Sequence, residues 1–246
     1  MYRKYVPFLL FLFFLYGCNG NKQEEKEDVS VFVDLPQLKA EGEITAVTLY
    51  SSTSYFQYKM QPMGYEYDLI NDFAKSQGLK LNIKVAENPA RLIEMLEAGE
   101  ADVVAYPIPI NNKLKQEVIY CGREDISSQV LIQRANKGDK LLTDVTQLID
   151  KNVYVKPNTK YSERLKNLDE ELGGGIHIQK VENDSIATED LIEMVSLGEI
   201  PYTISDDNTA RLNKTYYWNI NVDLKVSFPQ RSSWVVRKSS PDLAKA

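Results

Sequence analysis

The sequence predicts an α/β fold in two lobes, each a mainly parallel sheet with flanking helices, the two joined by a pair of hinge strands. Three observations lead there. Strand and helix patterns alternate as β-α-β-α-β, that series occurs twice, and two further extended segments connect the copies. The first copy reads as strand 44–50, helix 67–77, strand 80–85, helix 90–98 and strand 101–106. The second reads as strand 152–155, helix 161–172, strand 176–181, helix 188–197 and strand 201–205. Residues repeat as well as pattern. Leu92-Ile93-Glu94-Met95 returns as Leu191-Ile192-Glu193-Met194, and Gly99-Glu100 as Gly198-Glu199, at the same spacing. Solenoid repeats run about 20–50 residues, so this longer period reads as two homologous lobes. Gly99 and Gly198 are expected to cap their helices by taking positive φ before the next strand. Gln129 to Arg134 leads into the second lobe and Asp223 to Val236 returns. In open sheets of this kind ligands sit outside the carboxyl ends of the strands, so two facing lobes define a cleft.

The front of the chain reads as an address. Arg3 and Lys4 precede an apolar run from Val6 to Tyr16 that is too short to cross a bilayer, which takes about 20 residues. It ends Leu15-Tyr16-Gly17-Cys18, which resembles the bacterial lipobox and makes Cys18 the expected acylated anchor. The polar run Asn19 to Asp28 reads as a flexible tether. The expected organisation is therefore a signal peptide at 1–17, a tether at 18–42, one lobe from 43–128 plus 228–246, and the other from 129–227. Ser240-Pro241 opens a helix that stops after about one and a half turns, so the chain is expected to be a fragment of a longer product.

Composition narrows the function. The 246 residues are 43% hydrophobic with net charge -6, enough for a sizeable core and wrong for a backbone-driven nucleic-acid binder. One His and two Cys make a transition-metal site unexpected, no cofactor is implied, and Cys121 reads as a small buried residue rather than a nucleophile. Gly173-Gly174-Gly175 reads as a helix stop and not as a phosphate cradle.

Gly64-Tyr65-Glu66-Tyr67-Asp68-Leu69, with Asn71-Asp72-Phe73-Ala74 and Gly99-Glu100-Ala101-Asp102-Val103-Val104-Ala105, resembles the signature of the family 3 periplasmic solute-binding proteins. More narrowly, the body from about Leu35, including Val47-Thr48-Leu49-Tyr50 and Ser51-Ser52-Thr53-Ser54-Tyr55-Phe56, resembles the N-terminal module of the membrane-bound lytic transglycosylase F family. That resemblance implies a type II periplasmic-binding-protein-like clamp that closes on a small ligand. It also implies a Ser or Thr at a helix N-terminus, matched by Thr159 beside Asn158, and an aspartate for a ligand amine, matched by Asp206. Leu114 stands where amino-acid-binding members carry an arginine for the α-carboxylate. Lys113 or Lys115 lacks the planar fork that would replace it.

Tyrosine is abundant, with fifteen residues, and Tyr50, Tyr55, Tyr65, Tyr106 and Tyr161 fall near the expected cleft. Tyr50 and Tyr106 read equally as strand residues, Tyr55 and Phe56 as loop residues facing ligand, and Glu66 and Asp68 as groups that fix the first loop and cap the helix. The candidate ligand set is Tyr55, Phe56, Tyr65, Tyr106, Asn158, Thr159 and Asp206. No Glu-Ser pair of a transglycosylase active site occurs in the chain, so no catalytic residue is expected. Two functions remain open. One is a lipid-anchored sensor of a cell-wall fragment such as a muropeptide, facing the periplasm from the outer membrane and acting on an associated transglycosylase domain. The other is a receptor delivering an amino-acid-like solute to a transporter.

Overall fold

The computed structural model describes residues 33–183 and 186–246; the expected signal peptide, Cys18 and most of the expected tether lie outside the described residues. The last part of that tether is corrected by the structure. Residues Leu35–Glu41 form a helix, α1, where a flexible linker was expected. Its polar composition hides a capping box, in which Asp34 caps the helix start and the Gln37 side chain accepts from the Asp34 N–H. Leu38 packs into the core, and Gly42 ends the helix at φ 80°.

The first half continues through β1 (Glu43–Leu49), the hairpin β2 (Phe56–Tyr58) and β3 (Gln61–Met63), α2 (Tyr65–Ser76), β4 (Lys80–Ala86), α3 (Pro89–Glu97), β5 (Val103–Pro109), the short α4 (Leu114–Glu117) and β6 (Val118–Ser127). Then come β7 (Gln129–Arg134), β8 (Asn152–Val155), α5 (Lys160–Glu171), β9 (His177–Lys180), α6 (Thr188–Leu197), β10 (Tyr202–Asp206), α7 (Asp207–Lys214) and β11 (Ile220–Asn221). The chain closes with β12 (Gln230–Arg237) and α8 (Pro241–Lys245).

Two five-stranded sheets result, ordered β4-β1-β5-β12-β6 and β11-β7-β10-β8-β9. Each contains three parallel strands in the same spatial order, second-first-third, followed by an antiparallel strand, which is β12 returning from beyond the second lobe in the first sheet and the leading strand β7 in the second. β12 completes the first sheet beside β5, and β7 completes the second beside β10. The duplicated tetrapeptide lies on α3 and α6, the equivalent helices. Leu92 and Leu191 are each at most 1% exposed on the sheet, and burying such a side chain contributes about 2 kcal/mol. Both helices end alike. Gly99 and Gly198 adopt φ 72° and 81°, and the following Glu100 and Glu199 N–H groups donate to Met95 and Met194, each at 2.9 Å.

The ends of the described chain meet on the first lobe. Asp34 caps α1 through Leu35 N–H and also accepts from Asp242 and Leu243 N–H at 3.0 and 2.8 Å, so one carboxylate caps α1 and α8 together. Burial alone would raise its pKa, but these backbone donors hold the carboxyl below its ordinary value. Beside it Arg237, 7% exposed, pairs with Asp102 at 2.9 Å and donates to the carbonyls of Leu96 and Ala101.

Asp34→Ala is expected to lose about 2 kcal/mol, a fall of roughly 4–8 °C in melting temperature, because two helix starts lose their acceptor. Since the folded pKa is depressed, this stabilisation is present above the unfolded value and disappears as pH falls through the folded one. Melting curves of both proteins should therefore differ at neutral pH and converge in acid.

Candidate functional site

The cleft is built from loops at the carboxyl ends of strands in both sheets. On the first lobe, Gly64 begins α2 at φ 136°, and a Cβ there would lie 2.3 Å from the Ser54 carbonyl oxygen. Only glycine allows the helix start to approach the 51–55 loop this closely. The contact fixes Thr53, Tyr65 and Glu66 at one wall, with Tyr65 and Tyr67 N–H donating to the Thr53 and Ser54 carbonyls. Across the cleft, Ser52 donates to Glu189 Oε1 of α6 through both its N–H and its Oγ, at 3.1 and 3.0 Å. Thus the lobes touch at a polar contact between groups 137 residues apart.

A cavity of about 560 Å³ opens here. Thr53, Tyr65, Glu66, Arg123 and Asp125 line it from the first lobe, and Lys160, Asp206, Asn208 and Thr209 from the second. It extends beneath α2 among Ile70, Phe73, Trp234 and Val236.

On the second lobe, Asp206 ends β10 and its side chain turns to the cleft instead of capping α7. It pairs with Lys160 at 2.5 Å and accepts from the Tyr161 hydroxyl at 3.1 Å. Burial works against the Lys160 charge, but Asp206 outweighs it and the ammonium is held above its ordinary value. Burial also raises the Tyr161 phenol, with Asp206 adding to the effect. Tyr106, half-buried in the middle of β5, is raised by burial in the same way and feels the charges of Lys160, Asp206, Glu189 and Glu66. Both phenols therefore remain protonated donors.

The remaining candidates are placed differently. Tyr65 and Asp206 line the cavity, whereas Tyr55, Phe56, Tyr106, Asn158 and Thr159 do not. Tyr55 is buried, its ring edge-on to Tyr67 at 5.8 Å, and Phe56 belongs to the β2–β3 hairpin. Thr159 Oγ1 accepts from Ser162 N–H, which caps α5, and its single hydroxyl hydrogen goes to the Lys156 carbonyl. Asn158 supplies the turn before it at φ 56°. Leu114 packs against the first-lobe core, and Pro107 and Pro109, which have no N–H to offer a ligand, belong to the last part of β5 and not to the loop that leads to Leu114.

Glu66 also departs from its expected capping role. It accepts from the Trp234 indole N–H at 2.6 Å, and burial raises its carboxyl against that bond and nearby Arg123. Cys121 lies at the same wall, its thiol pushed up to about 12 by burial, which keeps it neutral. Among the described residues no group of three or more His, Cys, Asp or Glu is placed to hold a metal ion.

Arg123 is the cavity residue that pattern reading missed. Opposite Ser233 of β12 stand three residues of β6, Gly122, Arg123 and Glu124, because the pairing runs from Ser232–Asp125 to Trp234–Cys121. This β-bulge is held by the Ser233 hydroxyl, which donates to the Cys121 and Arg123 carbonyls, and it needs Gly122 at φ 69°. Arg123 Nη1 donates to the Tyr65 hydroxyl at 3.0 Å.

Two sheets of equivalent topology, two crossing strands and a cavity between facing strand ends define a two-lobed ligand-binding clamp. The profile of the bacterial extracellular solute-binding proteins, family 3, matches residues 44–246, and the chain belongs to that family. Membrane-bound lytic murein transglycosylase F of Desulfosudis oleivorans is 31% identical over 211 residues, 84% of this chain and 44% of that protein. The protein of the same name from Pseudomonas fluorescens is 28% identical over 204 residues, 82% of this chain and 41% of that one. The chain thus spans less than half the length of these relatives. In fold it is similar to the arginine-bound form of ArgBP from T. maritima, with TM-score 0.72 and 20% identity over 85% of this chain and 95% of that one. An ancestral amino acid-binding protein, a precursor of cyclohexadienyl dehydratase, gives TM-score 0.70 and 20% identity over 86% of this chain and 88% of that one.

Asp206→Asn should leave the Lys160 charge poorly compensated and cost about 2 kcal/mol, while Lys160→Met with Asp206→Asn should cost less than the two single changes added together. Thermal melts of the four proteins measure this coupling, and strict additivity would show that the pair does not act as a unit.

Proposed function

We propose that this chain is the sensing module of a lipid-anchored cell-wall protein, which closes on a muropeptide-like ligand and biases an associated transglycosylase domain. The observation that carries this reading is the altered carboxylate grip, in a chain whose relatives are called lytic murein transglycosylases. Where amino-acid-binding members present an arginine, this cleft has Leu114 packed against the core. A larger ligand held by several groups suits a cavity of about 560 Å³ better than a free amino acid gripped at its backbone. Tyr65, Tyr106 and Asp206 are assigned to ligand contact on this reading.

Ligand would act by binding the closed state more tightly than the open one, through contacts to both lobes at once. Cys18 is assigned as the acylated anchor, placing the module at the envelope and facing the periplasm from the outer membrane. No helix among the described residues is long and apolar enough to cross a membrane. Recognition of a free solute for transport is the competing reading, favoured by the fold neighbours that bind amino acids.

Calorimetry on this chain with purified muropeptides and with the free amino acids separates the two. Muropeptide binding without amino-acid binding is expected, and the reverse result would reject the sensor. Replacing Cys18 by Ser should move the protein from the membrane fraction to the soluble fraction of the producing cell.

A further inference from the structure

The bulge in β6 places a guanidinium in a cleft whose familiar anion grip is gone. We infer that Arg123 is the anion-binding residue of this cavity, and that the ligand it selects is a carboxylate bearing an apolar arm that runs beneath α2. This deepens the muropeptide reading by naming the chemistry at one end of the ligand.

Elimination among the cations comes first. Lys113 and Lys115 do not line the cavity, and Lys160 does but is already paired with Asp206 at 2.5 Å. Arg123 lines it too, and among the described residues its guanidinium makes one hydrogen bond, to the Tyr65 hydroxyl at 3.0 Å. A guanidinium has five N–H donors in a fixed fork, so the rest of the fork is available for bidentate contact with a carboxylate.

The surroundings favour that use. A bulge re-aims a side chain at some cost to sheet pairing, and here three residues of β6 stand opposite Ser233 to bring Arg123 beside Tyr65. Of the acids on the same wall, Glu66 is engaged by the Trp234 indole, and burial shifts it toward its neutral form. Asp125 lies two residues along β6, also lines the cavity, and has no hydrogen-bond partner among the described residues. It is suited to take an N–H next to the ligand carboxylate, as in an N-acyl amino acid or a peptide terminus. Beyond these polar groups the cavity turns apolar, with Ile70, Phe73, Trp234 and Val236 along its length.

The test uses N-octanoylglycine and its uncharged counterpart N-octanoylglycinamide, titrated into the full chain and followed by tryptophan fluorescence and calorimetry. The acid is expected to bind about tenfold or more tighter than the amide, the usual scale for a charge-assisted hydrogen-bonded pair. R123Q should erase that preference and R123K should restore only part of it, with melting temperatures confirming that both variants fold. Equal binding of acid and amide by the unaltered protein, binding of neither, or a preference that survives R123Q would each overturn the inference. Octanoylglycine binding without muropeptide binding would uphold Arg123 as the grip and reject the muropeptide reading alone.

Discussion

The first sheet depends on a strand that arrives only after the chain has passed through the whole second lobe, and this return governs everything else in the molecule. β6 ends at Ser127 in the first sheet, and after Ser128 the chain is already β7 in the second. The return passes from Val226 to Gln230 in the same small space. Gln129 N–H donates to Ser227 Oγ at 2.8 Å and Val226 N–H to the Gln129 carbonyl at 2.9 Å, so the two crossings are laced together. The first lobe cannot complete its hydrogen-bonded sheet without β12, whereas residues 129–221 supply every strand of the second. Relative motion is therefore confined to a few residues, and the cleft forms where the strand ends face each other across them.

The site combines rigid and yielding parts. The first-lobe wall is fixed by the close approach of Gly64 to the Ser54 carbonyl, and the second by the Lys160–Asp206 pair with Tyr161 beneath it. Between them runs the exposed Ser52–Glu189 contact, and such a surface interaction contributes only about 1 kcal/mol. A bond of that size closes the lobes without locking them, leaving ligand affinity to decide the balance.

Much of the architecture was legible because it rests on local periodicity. The ten strands and helices of the two series are all present, their ends within three residues of the expected ones, and the repeated Leu-Ile-Glu-Met segment marks equivalent helices. α1 was hidden because a capping box in a charged stretch looks like linker, and only its packing beneath α8 shows why it is ordered. The site was less legible. Thr159 and Asn158 sit in a stretch that suits both ligand contact and capping, and the hydroxyl bonds show Thr159 in the second use. Arg123 escaped because a bulge is a mismatch in register between strands some 110 residues apart, and no local pattern in either strand records it.

The double cap at Asp34 also has a mechanical side. The chain enters the described fold at Val33 and leaves it at Ala246, and both ends are tied to the same corner of the first lobe by one carboxylate and by Arg237. Tension applied between those two points runs through this corner and bypasses the crossing strands. The second lobe hangs outside the load path, free to swing on its ligand while the first lobe bears whatever pull the chain transmits.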